Sequence, residues 1–160
     1  MITKSTVIFI ALWATAITHP IKSEEHMKYS VLAIEYIGES DKPIAPIVIT
    51  DSKAGAEWYR RAVLKREKLE LTYEHIVGLS LLGKLIMEVD LYKGAVQQEH
   101  EKKLGPSKAV SVTIITSRRR NTFLYDTESA ISLLDSLQKH CKDDESLRSD
   151  LSHFQNRIRP

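Results

Sequence analysis

The chain has 160 residues, which is the length of a single domain with room for one hydrophobic core. Hydrophobic residues make up 42% and charged residues 28%, a composition that excludes a disordered or fibrous chain. The formal net charge of +2 does not by itself indicate a nucleic-acid or membrane partner, and the single cysteine, Cys141, excludes an intrachain disulfide and a cysteine-based metal site.

The first residues have the pattern of an export signal. A basic start is followed by the unbroken apolar run Val7–Trp13 and then by Ala14-Thr15-Ala16, a cleavage pattern of small residues. The run is shorter than the roughly 20 apolar residues that span a bilayer. We predict a signal peptide over residues 1–16, cut after Ala16, with a cut after Ser23 as the alternative.

A second start is readable at Met27, directly before a strand-like segment. If translation begins there, the leader is not part of the protein and the protein is cytoplasmic. With the leader, we expect a periplasmic or extracellular protein. In both cases the sequence predicts one α+β domain over residues 27–160.

The first half of this domain begins with two predicted strands. Lys28–Ile37 has a period of two and is rich in β-branched and aromatic residues, which predicts a strand. Ile44–Thr50 contains an early Pro46, which suits a short or edge strand. The two strands are expected to form a hairpin. Asp51 or Ser52 then caps a predicted helix that runs to about Glu67.

The second half repeats this mixture of strands and helices. Apolar residues at odd positions over Leu69–Val77 predict a third strand, with a continuation of the preceding helix as the alternative. Ser80 caps a helix whose apolar stripe follows a 3.6-residue period. Val110–Thr116 and Thr122–Tyr125 form the clearest hairpin.

Two helices end the chain, begun by Asp126 or Thr127 and by Asp143 or Asp144. Hairpins separated by helices predict an α+β fold. We expect an antiparallel sheet of about four or five strands with helices packed on one face and two helices at the C-terminus.

Several short motifs nearly match catalytic or nucleotide-binding patterns. Gly78–Leu85 fits the glycine and lysine positions of a phosphate loop but has leucine where Ser or Thr would hold magnesium. Gly83 comes one position too late for a nucleophile elbow around Ser80, and it is interpreted as a packing glycine. Ser136 and Lys139 lack the companion motifs of serine–lysine enzymes. We therefore predict neither a cofactor nor a catalytic residue.

None of the six histidines has the spacing of a metal site, so no metal ligand is predicted. His75 takes a strand position that would usually be apolar. It is the candidate for a shifted protonation equilibrium, with a satisfied, half-buried histidine as the alternative. Cys141 lies on an apolar helix stripe and is expected to be a small buried residue.

Arg118, Arg119 and Arg120 lie where the second hairpin turns, followed by Asn121, which tolerates a turn conformation. Successive side chains of an extended chain point apart, so the three arginines cannot converge on one ligand. One interpretation is a solvated turn that discourages association of sheet edges. The other is contact with an anion or an acidic partner.

These observations favour an exported, non-catalytic binding or interaction protein, of the inhibitor or immunity type. Its partner is expected to be another protein, acidic in character, with no nucleic acid and no membrane anchor after signal cleavage. A small exported hydrolase whose site assembles only in space is the first alternative. A cytosolic nucleic-acid-associated protein that starts at Met27 is the second.

Overall fold

The computed structural model describes residues 29–61, 72–100 and 108–160, without the side chains of 93–100 and 108–109. The predicted signal peptide, the Met27 start and the end of the first predicted helix lie outside these residues. The elements are, in chain order, β1 (Val31–Tyr36), β2 (Ile47–Thr50), α1 (Lys53–Tyr59), β3 (Tyr73–Ile76), α2 (Leu79–His100), β4 (Lys108–Ile115), β5 (Arg120–Asp126), α3 (Thr127–His140) and α4 (Glu145–Ile158).

The five strands form one sheet in the order β3-β2-β1-β4-β5. The predicted α+β class, both predicted hairpins and the two C-terminal helices are confirmed. The sheet is mixed rather than purely antiparallel, because β2 and β3 run parallel. Parallel strands need a crossover connection that returns the chain to the end of the sheet where the first strand began. Helix α1 is part of this connection between β2 and β3.

The main core lies between one face of the sheet and helices α2, α3 and α4. Alternate residues of each central strand point into it, as the period of two requires. Its fully buried side chains include Leu32, Ile34, Ile47, Ile49, Val112 and Ile114 from the sheet, and Leu82, Leu85, Leu134, Leu137, Leu147 and Leu151 from the helices.

The opposite face of the sheet carries a second, smaller core. Tyr59 of α1 is fully buried there against Val31, Ala33, Val48 and Ile115. Helix α1 therefore covers this face, and the expectation of helices on one face holds only for the other three. The signal for two-sided burial is the run Val31–Ile34, in which every residue is apolar and none is solvent-exposed.

The local signals for helix starts are reproduced in the structure. Helix α2 begins at Leu79, so Ser80 lies inside its first turn rather than capping it. Three other predicted N-caps are confirmed, each by a side-chain oxygen that accepts a hydrogen bond from the backbone N–H three residues later: Ser52 (3.1 Å), Asp126 (2.7 Å) and Asp144 (3.0 Å).

A buried amide joins the two C-terminal helices. Gln155 of α4 is only 4% exposed. Its Nε2 donates to the Ile131 carbonyl at 3.0 Å and to Asp135 Oδ1 at 2.7 Å, and its Oε1 accepts from Gln138 at 3.1 Å. A buried polar group is stabilising only when it is bonded, so these contacts fix how α4 lies on α3.

The first prediction concerns the contact of α1 with the sheet. A Cβ added at Gly55 would lie 2.5 Å from Thr50 Oγ1 and 3.2 Å from Tyr29 Cβ. Gly55→Ala must therefore push α1 away from β2, and we expect the free energy of unfolding to fall by about 1–3 kcal/mol. Urea unfolding followed by circular dichroism measures this change.

Gly83→Ala is the matched control, because a Cβ there would meet no atom within 4 Å. In this open helical position alanine should raise the free energy of unfolding by about 0.5–1 kcal/mol. A stability gain in both variants would contradict the close approach of α1 to β2.

Candidate interaction surface

His75 lies on β3, where the strand faces α4. Its side chain is 9% exposed, and its Nε2 lies 2.8 Å from Asp150 Oδ2. The ring is thus held between an edge strand and the last helix, which corresponds to the alternative of a satisfied, half-buried histidine. Its shifted protonation equilibrium stays a prediction.

Two grooves lie along α4, and neither is lined by this pair. A groove of about 480 Å³ runs along α4, and its lining includes Ser149 and His153. A smaller groove of about 160 Å³ lies between Ile44 and the same helix. His75 and Asp150 line neither groove. Within the described residues no three acidic, histidine or cysteine side chains are close enough to hold a metal ion.

Helix α2 is held on both of its flanks by its own acidic residues. Glu88 Oε2 lies 3.0 Å from His140 Nε2 of α3. On the other flank, the guanidinium of Arg119 binds Asp90 with both terminal nitrogens, and the first of these bonds is 2.9 Å long. The hydrogen bonds that Arg119 donates to Asp90 raise the pKa of Arg119, so the arginine stays charged. Both carboxylates are therefore turned away from the outer side of α2.

The outer side of α2 carries an apolar row that we call the α2 ridge: Leu79, Gly83, Met87 and Leu91. These residues follow one another at four-residue intervals, which places them along one side of a helix. Leu79 is 67% exposed, Met87 63% and Leu91 70%. Aligned, exposed apolar side chains of this size are typical of a surface that contacts another protein.

Gly83 lies in the middle of the α2 ridge without a described neighbour. The interpretation as a packing glycine is wrong for the described part of the chain, because nothing there lies within 4 Å of an added Cβ. Glycine inside a helix costs about 1 kcal/mol relative to alanine. Its lack of a side chain allows another backbone or side chain to approach α2 closely at this point.

The arginine-rich turn is shorter than the sequence predicts. Thr116 N donates to the Arg119 carbonyl at 2.9 Å, so the turn residues are Ser117 and Arg118. Strand β5 already begins at Arg120. The three guanidinium groups diverge: Arg118 is exposed in the turn, Arg119 binds Asp90 on α2, and Arg120 lies on the sheet face that α1 covers.

Cys141 is fully buried at the end of α3, as the apolar stripe predicts. Its Sγ donates to the Leu137 carbonyl at 3.3 Å. Burial, with a further contribution from Asp144, raises the pKa of the thiol to about 11. The neutral thiol is therefore the form that the fold favours.

A scan of protein-family models and searches of the curated proteins and of the solved structures found no match for this chain. No helix in the described ranges has the length and apolar character needed to cross a membrane. The surfaces of the described residues are therefore the guide to function, and the most distinctive of them are the α2 ridge and the β4–β5 turn that Arg119 binds to α2.

The second prediction separates the roles of two neighbouring arginines. Arg119→Ser removes both bonds to Asp90 and should lower the free energy of unfolding by about 0.5–1 kcal/mol, since the pair is one-third exposed. Arg118→Ser is the control and should change it by less than about 0.5 kcal/mol. Equal losses in chemical denaturation would mean that the hairpin is not held to α2 by Arg119.

The third prediction concerns pH. Because the folded thiol has the higher pKa, Cys141 stabilises the fold fully below its ordinary pKa of 9.0, and this contribution is lost as the pH rises through about 11.

At pH 8 we expect native Cys141 to resist a thiol-specific reagent that labels the urea-unfolded chain within minutes. Rapid labelling of the native protein would contradict the buried placement.

Proposed function

We propose that the protein is a non-catalytic interaction protein that binds another protein through the α2 ridge. The observation that carries the proposal is the exposure of Leu79, Met87 and Leu91, which lie in one row with Gly83. Burial of these three side chains in a complex would remove a large apolar surface from water. The buried side of the same helix, including Leu82 and Leu85, packs into the main core. The apolar residues of the ridge are therefore not needed to attach α2 to the core.

The charges around the ridge favour an acidic partner. Lys84 is exposed beside Gly83. Arg119 offsets the charge of Asp90, and Glu88 lies within hydrogen-bond distance of His140. A complementary surface would offer an apolar groove flanked by carboxylates, which agrees with the acidic protein partner expected from the sequence.

Export is a further part of the proposal, and it depends on the leader pattern in residues 1–16. An exported binder of this size would act in the manner of an inhibitor or an immunity protein. The mass of the mature N-terminus tests this part, since cleavage after Ala16 leaves Ile17 as the first residue. A mature chain that begins at Met27 would instead support a cytoplasmic protein.

The fourth prediction tests the ridge by site-specific cross-linking. A photo-reactive amino acid at Met87 should cross-link the full chain to its partner in the native extract, and the product is identified by mass spectrometry. The matched control carries the same amino acid at Ser149, an exposed position on α4. Equal cross-linking from both positions would indicate non-specific contact and contradict the proposal.

The identified partner is then used with Gly83→Leu, which separates binding from folding. Leucine is the better helix former, so the thermal stability of the free variant should be unchanged or higher. Its side chain would fill the gap in the ridge, and we expect the partner to bind at least tenfold more weakly. Unchanged affinity would remove the ridge as the binding surface.

A further inference from the structure

The β5 edge of the sheet is unpaired within the described part of the chain. Among the described residues β5 pairs only with β4. The bond from Thr116 N to the Arg119 carbonyl fixes which residues of β5 face β4, because bonded and non-bonded pairs alternate in an antiparallel ladder. Asn121 and Phe123 turn their backbone groups toward β4. Arg120, Thr122 and Leu124 turn theirs outward, where no described residue binds them.

This edge has little protection against pairing with another strand. Arg120, Thr122 and Leu124 are all exposed. The segment contains no proline, and the irregularity in the β4–β5 register lies at the far end, between Lys108 and Val110. A regular strand with free N–H and C=O groups is a template for strand addition.

We propose that a second copy of this chain adds its β5 to this edge, antiparallel to the first and related to it by a twofold axis at Thr122. Thr122 then lies opposite its own counterpart, and Arg120 lies opposite Leu124 of the second copy. The twofold axis generates the third pair, Leu124 opposite Arg120 of the second copy. All three pairs are of the hydrogen-bonded kind, and each exchanges two backbone bonds. The inference goes beyond the proposed function, because it concerns another surface and another partner.

The charge distribution along β5 selects this arrangement. The strand has Arg118 before it and Arg120 at its start, whereas its end carries Asp126 and, in the next helix turn, Glu128. The antiparallel register places Arg118 opposite Asp126 of the second copy, twice in each dimer. A parallel register would place arginine beside arginine. Arg118 therefore disfavours the parallel register and favours the antiparallel one.

The side chains are compatible with this register. The hydroxyl groups of Thr113 and Thr122 lie 3.1 Å apart, and the twofold axis extends this threonine row into the second copy. Leu124, 43% exposed, would be covered by the aliphatic part of Arg120 of the second copy. These side chains lie on the face that α1 covers, opposite the face that α2 covers.

The fifth prediction is a test of the dimer with the full chain. Sedimentation velocity should show a concentration-dependent dimer that weakens with added salt. Thr122→Pro removes an outward N–H and the hydroxyl contact with Thr113 but leaves the backbone bonds to β4 in place, and it should weaken dimerisation at least tenfold. Gly83→Leu is the control that should dimerise as the wild type does, so a failure here is distinguishable from a failure of the proposed function.

Disulfide trapping tests the register itself. Thr122→Cys places two thiols at the twofold axis, where Cα atoms of a bonded pair are about 5.5 Å apart and within disulfide range. It should form a covalent dimer on mild oxidation, whereas Asn121→Cys, on the other face, should not. A wild type that stays monomeric at about 100 µM, or equal trapping by both variants, would overturn the proposal. The proposal would also be overturned if the amides of Arg120, Thr122 and Leu124 became protected from hydrogen exchange only when a different protein is added.

Discussion

Strand β1 is the constraint on which the other elements depend. Its residues Val31–Ile34 are fully buried, and it is hydrogen-bonded to β2 on one side and to β4 on the other. A strand buried on both faces leaves no surface for solvent, so helices must cover both sides of the sheet. Three helices cover one side, and α1 covers the other with Tyr59.

Helix α2 combines three kinds of contact around its circumference. Its inner side contributes Leu82, Leu85 and Val89 to the core. Its flanks bind α3 through Glu88 and the β4–β5 turn through Asp90. What remains is an apolar outer side, because the carboxylates that would make it polar are already engaged. The exposure of the α2 ridge is thus a consequence of how the helix is anchored.

The features that the sequence predicts correctly are those that depend on neighbouring residues. The caps at Ser52, Asp126 and Asp144 and both hairpins are local, and all are present. The parallel pairing of β2 with β3 and the His75–Asp150 contact join distant parts of the chain, the latter across 75 positions. The periodicity of a segment indicates which of its sides is buried, but not which distant segment it contacts. The 3.6-residue pattern predicts only the buried side of α2, so it gives no indication of the exposed ridge.

The junction between β5 and α3 has a mechanical consequence. The strand ends at Asp126 and the helix begins at Thr127, with no loop to absorb movement. Asp126 belongs to both elements, since it ends the ladder and caps the helix. A displacement of β5 must therefore also move the start of α3. The hydrogen bonds of Gln155 couple α3 in turn to α4. Force applied to β5 at the edge of the sheet is thus transmitted through α3 to the C-terminal helix α4.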